Sequence, residues 1–278
     1  MKAMFRDGTA PLGGRRLLVV HEPGGVPRGV VVGVAAFAEE MNKGRRTASL
    51  AARAMARAGL RVVQLDMAGC GDSSGDLVSA TWQAWVDDLL DTAQWAASQA
   101  PAEAPLILWG IRAGCLVASQ AQAQLGSRAH LMLWQPQSSG KLVLQQFLRL
   151  KMAGQLQQGA AKGVTDSLLA TLAAGGAVEV AGYALGPGVT DGLAAAQLRP
   201  PAHGTRVSWL EVSAQTPPEL LPASQTIVQK WRDGGVEVRA AAVGGPLFWQ
   251  SQDIEEAPAL VELTAIEAGT LCETTALA

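Results

Sequence analysis

The sequence predicts an α/β fold, a mostly parallel central sheet flanked by helices on both faces. Short β-branched runs alternate with helix-length segments, the pattern of strands joined by helical crossovers. Leu106-Ile107-Leu108-Trp109-Gly110 reads as a buried strand that breaks at glycine and restarts at Gly114 as a small-residue helix. The alternation lapses between residues 137 and 200, and connections of that length without a role are uncommon.

Taken in order, strands are expected over Arg16–His21 and Gly29–Val34, forming a hairpin across Pro23-Gly24-Gly25-Val26-Pro27, because Gly and Pro dominate such turns. A helix over Arg45–Ala58 leads to a strand at Arg61–Asp66, and a helix over Ala84–Ser98 to a strand at Pro105–Gly110. Helix Gly114–Leu125 and strand His130–Trp134 complete the first part. Gly140 to Gln158 then reads as an amphipathic helix carrying Leu142, Leu144, Phe147, Leu148, Leu150 and Met152, with apolar positions at helical spacing. A helix at Thr165–Ala173 precedes a Gly- and Ala-rich stretch with Tyr183 and Arg199-Pro200-Pro201. Strands Arg206–Val212 and Val236–Val243 and helices Leu221–Gly234 and Ala257–Ala268 finish the chain. Residues 1–136 and 201–278 therefore form the expected core, and 137–200 an expected helical cap insertion.

Bulk properties bound the function. The chain has 278 residues, 49% apolar and 17% charged, enough for one large core and against disorder. A net charge of −2 gives no reason to expect nucleic acid or an acidic membrane surface as partner. Cys70, Cys115 and Cys272 are three and widely spaced, so neither a disulfide framework nor a metal site follows. No apolar run approaches the ~20 residues that span a bilayer. A cytoplasmic protein without cofactor or metal, not integral to a membrane, is expected, and a homodimer is left open.

The break at Gly110 has the form Gly-x-Arg-x-Gly over Gly110-Ile111-Arg112-Ala113-Gly114. A strained strand-to-helix turn of this kind, with helix amides beside it, is how the nucleophile elbow of an α/β-hydrolase fold is built. Arg112 holds the nucleophile's position, and a guanidinium stays protonated at working pH. The base fails as well: His21, His130 and His203 lie elsewhere, and Gly244-Gly245-Pro246-Leu247-Phe248-Trp249-Gln250 follows the last strand. After Arg206–Val212 no acid occurs until Glu219.

Other residues are candidates for chemistry. Cys115 has no histidine beside it to activate the thiol and reads as a small buried hydrophobe. Ser139, with Ser138, falls at the carboxyl edge of the sheet where ligands collect, without an evident base. Asp66-Met67-Ala68-Gly69-Cys70-Gly71-Asp72-Ser73 is a glycine-dense turn after a strand and reads as structural. Phe37-Ala38-Glu39-Glu40-Met41-Asn42-Lys43 occupies the loop that supplies an oxyanion-hole amide in this fold. This charge run is either a solvated helix start or the partner that a partly buried guanidinium needs, in which case Glu39 or Glu40 faces Arg112. Guanidinium and helix N-terminus together make a receptor for a small anionic ligand, formed by Arg112, Ala113, Phe37, Glu39, Glu40, Ser139 and Trp249. The alternative is an Arg–Glu pair that closes the site.

Longer motifs carry a resemblance. Phe37-Ala38-Glu39-Glu40-Met41-Asn42-Lys43-x-Arg45-Arg46, Gly69-Cys70-Gly71-Asp72-Ser73-x-Gly75-Asp76, Thr81-Trp82-x-Ala84-Trp85-x-Asp87-Asp88 and Leu108-Trp109-Gly110-x-Arg112-x-Gly114 are similar to the exosortase A system-associated hydrolases, type 2. So are Leu133-Trp134-Gln135-Pro136-x-x-Ser139-Gly140-Lys141, Phe248-Trp249-Gln250 and Glu255-Glu256-Ala257-Pro258. The resemblance runs from about residue 16 to 268. It implies an α/β-hydrolase fold and a bacterial setting beside exopolysaccharide synthesis and exosortase-dependent sorting. The related type 1 group keeps a cysteine at the elbow, where this chain has Arg112. Val34-Ala35-Ala36-Phe37 stands where a Pro-Pro-Phe is usual. Three readings follow: acyl or ester hydrolysis by a non-standard constellation, a silent pseudoenzyme that binds a ligand or partner through the Arg112 pocket, and a partner-binding subunit using Trp82, Trp85 and the apolar cap helix.

Overall fold

The computed structural model describes residues 1–8, 12–156 and 163–273, with backbone alone over 152–156. Its strands are β1 (Lys2–Asp7), β2 (Arg15–His21), β3 (Val30–Val34), β4 (Arg61–Leu65), β5 (Leu106–Ile111), β6 (Ala129–Trp134), β7 (Val178–Val180), β8 (Tyr183–Leu185), β9 (Arg206–Ser213) and β10 (Glu237–Gly244). Its helices are α1 (Glu39–Arg57), α2 (Trp82–Ser98), α3 (Gly114–Leu125), α4 (Gly140–Leu156), α5 (Val164–Ala173), α6 (Pro187–Ala195), α7 (Pro222–Asp233) and α8 (Pro258–Cys272). Eight strands form one sheet in the order β1-β2-β4-β3-β5-β6-β9-β10. β2 runs antiparallel to both its neighbours, and the remaining pairs are parallel.

The expected hairpin of the first two predicted strands does not form. All five residues of β3 are buried, so the strand needs a neighbour on each side and takes parallel β4 and β5. β4 thereby separates it from β2. β1, absent from the sequence reading, is an edge strand of alternating exposure with no continuous apolar run. α1 starts at Glu39, six residues before its expected start at Arg45. The charged stretch is its first two turns, where Glu39 and Glu40 sit well against the positive end of the helix dipole.

Strand order reverses at β3, because the chain moves outward to β4 and then returns across β3 to β5. α1, following β3, packs on one face through Ala48, Ala51, Ala52 and Met55. α3, following β5, packs on the other through Leu116, Val117 and Ala121. The two helices leave the carboxyl edge in opposite directions, and a crevice opens between their starts. Glu40 and Arg112 face each other there.

Among the described residues, the segment between β6 and β9 contains α4, α5, the β7–β8 hairpin and α6. α4 is described as far as Leu156, and the rest of its expected span, residues 157–158, lies outside the described residues. Leu144, Phe147 and Leu148 are buried, whereas Leu142 and Leu150 face solvent. Leu172, Val180, Leu185, Val189 and Leu193 join the same core cluster as α2 and α3. α6 lies so close to the start of α2 that a Cβ on Gly192 would stand 2.1 Å from that of Trp82. Asn42 of α1 donates from Nδ2 to the Tyr183 hydroxyl at 2.8 Å, which ties the hairpin to the crevice. Among the described residues no helix is long and apolar enough to cross a membrane.

Candidate functional site at the β5–α3 turn

The turn between β5 and α3 has elbow geometry. Arg112 has φ 54°, a conformation that costs a non-glycine residue about 1–3 kcal/mol. Gly110 and Gly114 make room for it. A Cβ on Gly110 would lie 2.5 Å from the Cys115 Cα, and one on Gly114 would lie 2.4 Å from the Ala35 carbonyl oxygen. The Arg112 N–H donates to the Trp134 carbonyl at 2.8 Å, which fixes the turn to β6.

The guanidinium is fully engaged. Its Nε lies 3.2 Å from both Glu40 carboxylate oxygens and its Nη2 lies 2.8 Å from Oε1. Gln137, with its amide oriented to satisfy both groups, accepts from Nη1 at 2.6 Å and Nη2 at 3.1 Å. The Trp249 ring covers the cation with its centroid 4.8 Å away, a cation–π contact. The side chains of Arg112 and Glu40 are 9% and 20% exposed, so the pair is only lightly screened by solvent. The sequence reading placed Glu39 or Glu40 here, and Glu40 is the partner. Glu39 has a buried Oε2 without a hydrogen-bond partner among the described residues, and burial first of all raises its carboxyl pKa.

The other sequence candidates separate from this centre. Cys115 is buried, its thiol pKa strongly raised by burial, and its Sγ–H points to the Trp134 carbonyl at 3.7 Å. It is not a poised nucleophile. The Ser139 hydroxyl accepts from Gln197 Nε2 at 3.3 Å, and the two residues form an isolated antiparallel bridge. That contact fastens the start of α4 to the segment after α6. Ala113 is buried, and Phe37 is packed edge-on against Phe147 at 5.2 Å. In the glycine-dense turn, Asp66 pairs with Arg45 at 3.2 Å and accepts from the Asp72 N–H at 3.2 Å. Burial there pushes the Cys70 thiol up to about 12.

Past β10 the chain presents Trp249, whose Nε1 is buried without a hydrogen-bond partner among the described residues. On β9, Glu211 spends its carboxylate on Trp209 Nε1 and the Leu221 N–H, both at 2.8 Å. His21 bonds Gln64 at 3.1 Å near the far side of the sheet. His130 lies at the amino ends of the strands, where burial first and then Arg206 lower it to about 4. His203 is exposed in the loop before β9.

A cleft of about 500 Å³ opens beside Arg112 between the ends of β6, β9 and β10. Gln135, Gln215, Gln225, Gln250 and Glu219 border it, with Trp249. Sequence reasoning missed the glutamines. The Gln135-Pro136-Gln137 run directly after a central strand was the available signal, because that is where the carboxyl edge lies. Gln135 has φ 43° and accepts from the Val212 N–H at 3.0 Å, so it holds β6 to β9 at the rim.

Strand order, the reversal at β3 and the glycine-framed elbow define an α/β-hydrolase. The family model described as serine aminopeptidase, S33 (Hydrolase_4) matches residues 25–173, and the chain belongs to that family. Three solved structures share the fold at low identity. Est1E from Butyrivibrio proteoclasticus, solved with ferulic acid, is 13% identical over 97% of this chain and 99% of that one, with a TM-score of 0.69. A thermostable carboxyl esterase from Bacillus coagulans, in complex with glycerol, is 14% identical over 98% and 100%, with a TM-score of 0.62. An α/β serine hydrolase without lid from Xanthomonas campestris is 15% identical over 99% and 97%, with a TM-score of 0.56. No curated protein matches the sequence.

Proposed function

We propose that this protein is a non-catalytic member of the α/β-hydrolases that binds a small polar ligand in the cleft beside Arg112. The observation that carries this reading is the state of Arg112: strained, neutralised by Glu40, capped by Gln137 and covered by Trp249. An anion would have to displace Glu40 or Gln137 to reach the guanidinium. A neutral ligand needs neither step, and the glutamine amides at the border of the cleft offer it hydrogen bonds. Segment 137–200 acts as the cap over a core of 1–136 and 201–278, with Tyr183 tied to α1 at the crevice. The motif resemblance supports a place at exopolysaccharide and exosortase loci, for which exopolysaccharide yield after gene deletion is the readout.

A second reading, acyl or ester hydrolysis by a non-standard constellation, is favoured by family membership and by the intact elbow backbone. Turnover of short-chain p-nitrophenyl esters by wild type, Arg112→Ala, Cys115→Ala and Ser139→Ala decides between them. The binding reading expects background rates from all four folded proteins. Wild-type turnover that disappears in one variant would instead establish a hydrolase and name its residue.

A further inference from the structure

A groove of about 240 Å³ lies beside Trp109 between α1 and the sheet, and its two carboxylates are already engaged, Glu40 by Arg112 and Asp66 by Arg45. Glu40 lines this groove while Arg112 lines the cleft, so the pair stands between the two spaces. The cleft is the larger, at about 500 Å³, within the roughly 300–1,000 Å³ of small-molecule sites. Several of its polar side chains are anchored at one end and left over at the other.

Two of these side chains are buried at the floor. Gln135, 7% exposed, uses its Oε1 to accept from the Val212 N–H at 3.0 Å, which fixes the amide and leaves its Nε2 hydrogens for the cleft. Ser213, 9% exposed, uses Oγ to accept from the Gln215 N–H at 3.1 Å, which leaves its hydroxyl hydrogen to donate. The floor therefore offers N–H and O–H donors and calls for acceptors. The exposed rim is opposite in kind. Gln225 gives its Nε2 to the Leu220 carbonyl at 3.0 Å and keeps Oε1 as an acceptor, and Glu219 adds a carboxylate. Leu220, Leu221 and Leu247 contribute apolar wall.

An anion is repelled by Glu219 and finds Arg112 already neutralised by Glu40. A single amide brings one carbonyl and at most one N–H in a fixed direction, fewer groups than floor and rim together call for. A hydroxyl donates and accepts through the same oxygen, so a neutral molecule bearing several of them meets both sides, and the C–H faces of its ring rest on the leucines. We infer that the cleft binds a neutral, hydroxyl-rich ring molecule, a sugar of about one or two hexose units. Its oxygens accept from Gln135 Nε2 and Ser213 Oγ, and its other hydroxyls donate to Gln225 Oε1 and Glu219. This names the ligand class of the cleft and rests on the binding reading given above.

The test titrates glucose, cellobiose, glucuronate and N-methylacetamide at tens of millimolar while the glutamine side-chain amide resonances are followed by NMR. Gln135→Glu identifies the Gln135 signal, since it keeps the oxygen that holds Val212 and removes the donors. The two neutral sugars are expected to shift that signal, and glucuronate to bind about 3-fold more weakly than glucose, a modest penalty because Glu219 is exposed. Gln135→Glu is expected to weaken cellobiose about 10-fold, and Ser213→Ala, which serves if the first variant does not fold, about 5-fold. A Gln135 amide that moves with N-methylacetamide and with neither sugar would overturn the sugar assignment and leave the binding reading intact. An amide unmoved by every probe, tighter binding of glucuronate than of glucose, or sugar affinity unchanged in both variants would overturn the assignment too. Ester turnover by the wild type would instead sink the non-catalytic reading without moving these resonances.

Discussion

The cleft beside Arg112 and the groove beside Trp109 are neighbours made by different means. The cleft holds about 500 Å³ and is bordered by side-chain amides. The groove holds about 240 Å³, and its lining mixes Gly, Ala and Val with Glu40, Arg45, Arg53, Gln64 and Asp66. Cleft space comes from the backbone, since chains leaving the carboxyl edge of the sheet diverge onto opposite faces. Groove space lies under α1, where the short side chains of Ala35, Ala36 and Ala48 leave part of the helix–sheet interface unfilled. The first kind of space is inherited with the topology, and the second depends on a few residues of one helix and one strand.

The largest expected effect attacks what both regions share. Gly114→Val places a Cβ 2.4 Å from the Ala35 and 2.7 Å from the Val34 carbonyl oxygen, and backbone cannot yield as a flexible side chain can. A loss of about 4 kcal/mol, read by chemical denaturation, is expected, and a loss below about 1 kcal/mol would mean that β3 and α3 are not held this close. Glu40→Ala leaves the Arg112 cation buried without its carboxylate and is expected to cost about 3 kcal/mol. Adding Arg112→Met should restore most of that stability. If the single and double variants are equally destabilised, the pair is not the wall between the two spaces.

A third test sets both regions against the amino edge of the sheet. His130 Nδ1 accepts from the Arg206 N–H at 3.2 Å, and Arg206 Nη2 lies 3.3 Å from Nε2. Burial, and then the positive charge of Arg206, oppose the imidazolium, and the folded pKa falls from 6.5 to about 4. A histidine depressed in this way contributes its stability in full above pH 6.5, and that contribution is lost as pH falls towards 4. The expected loss, reduced for partial exposure, is about 2 kcal/mol. His130→Gln should flatten this part of the curve of stability against pH, and an unchanged curve would place the sensitivity elsewhere.

The smallest effect concerns the groove alone. A Cβ on Gly44 would meet the Phe248 ring at 3.4 Å, an ordinary contact, within a helix where glycine is unfavourable. Gly44→Ala is expected to stabilise by about 0.5 kcal/mol in thermal melts. Destabilisation would show that this side of α1 is already closely packed.

The sequence disclosed some of this and hid the rest for identifiable reasons. The parallel strands were legible because each is a short β-branched run between turn residues, and the elbow because Gly110 and Gly114 frame it. Glu40 could be anticipated because a buried guanidinium demands a counter-charge. The same charge run disguised the first two turns of α1 as a loop. β1 escaped because an edge strand needs no continuous apolar run, and β7, β8 and α6 because they are short and rich in Gly and Ala. Gln137 has no periodicity or charge to announce it. The groove could not be read at all, since missing side chains become a space only once α1 has been laid on the sheet.

The pairing of Arg112 with Glu40 also constrains how this chain can change over evolutionary time. A serine at position 112 alone would leave a largely buried carboxylate facing a hydroxyl, and removing Glu40 alone would strand the cation. Either single step passes through a destabilised intermediate, whereas the paired replacement does not. The elbow is thus held at arginine by epistasis, and a lineage that has reached this state stays in it unless two codons change together or stability is first gained elsewhere.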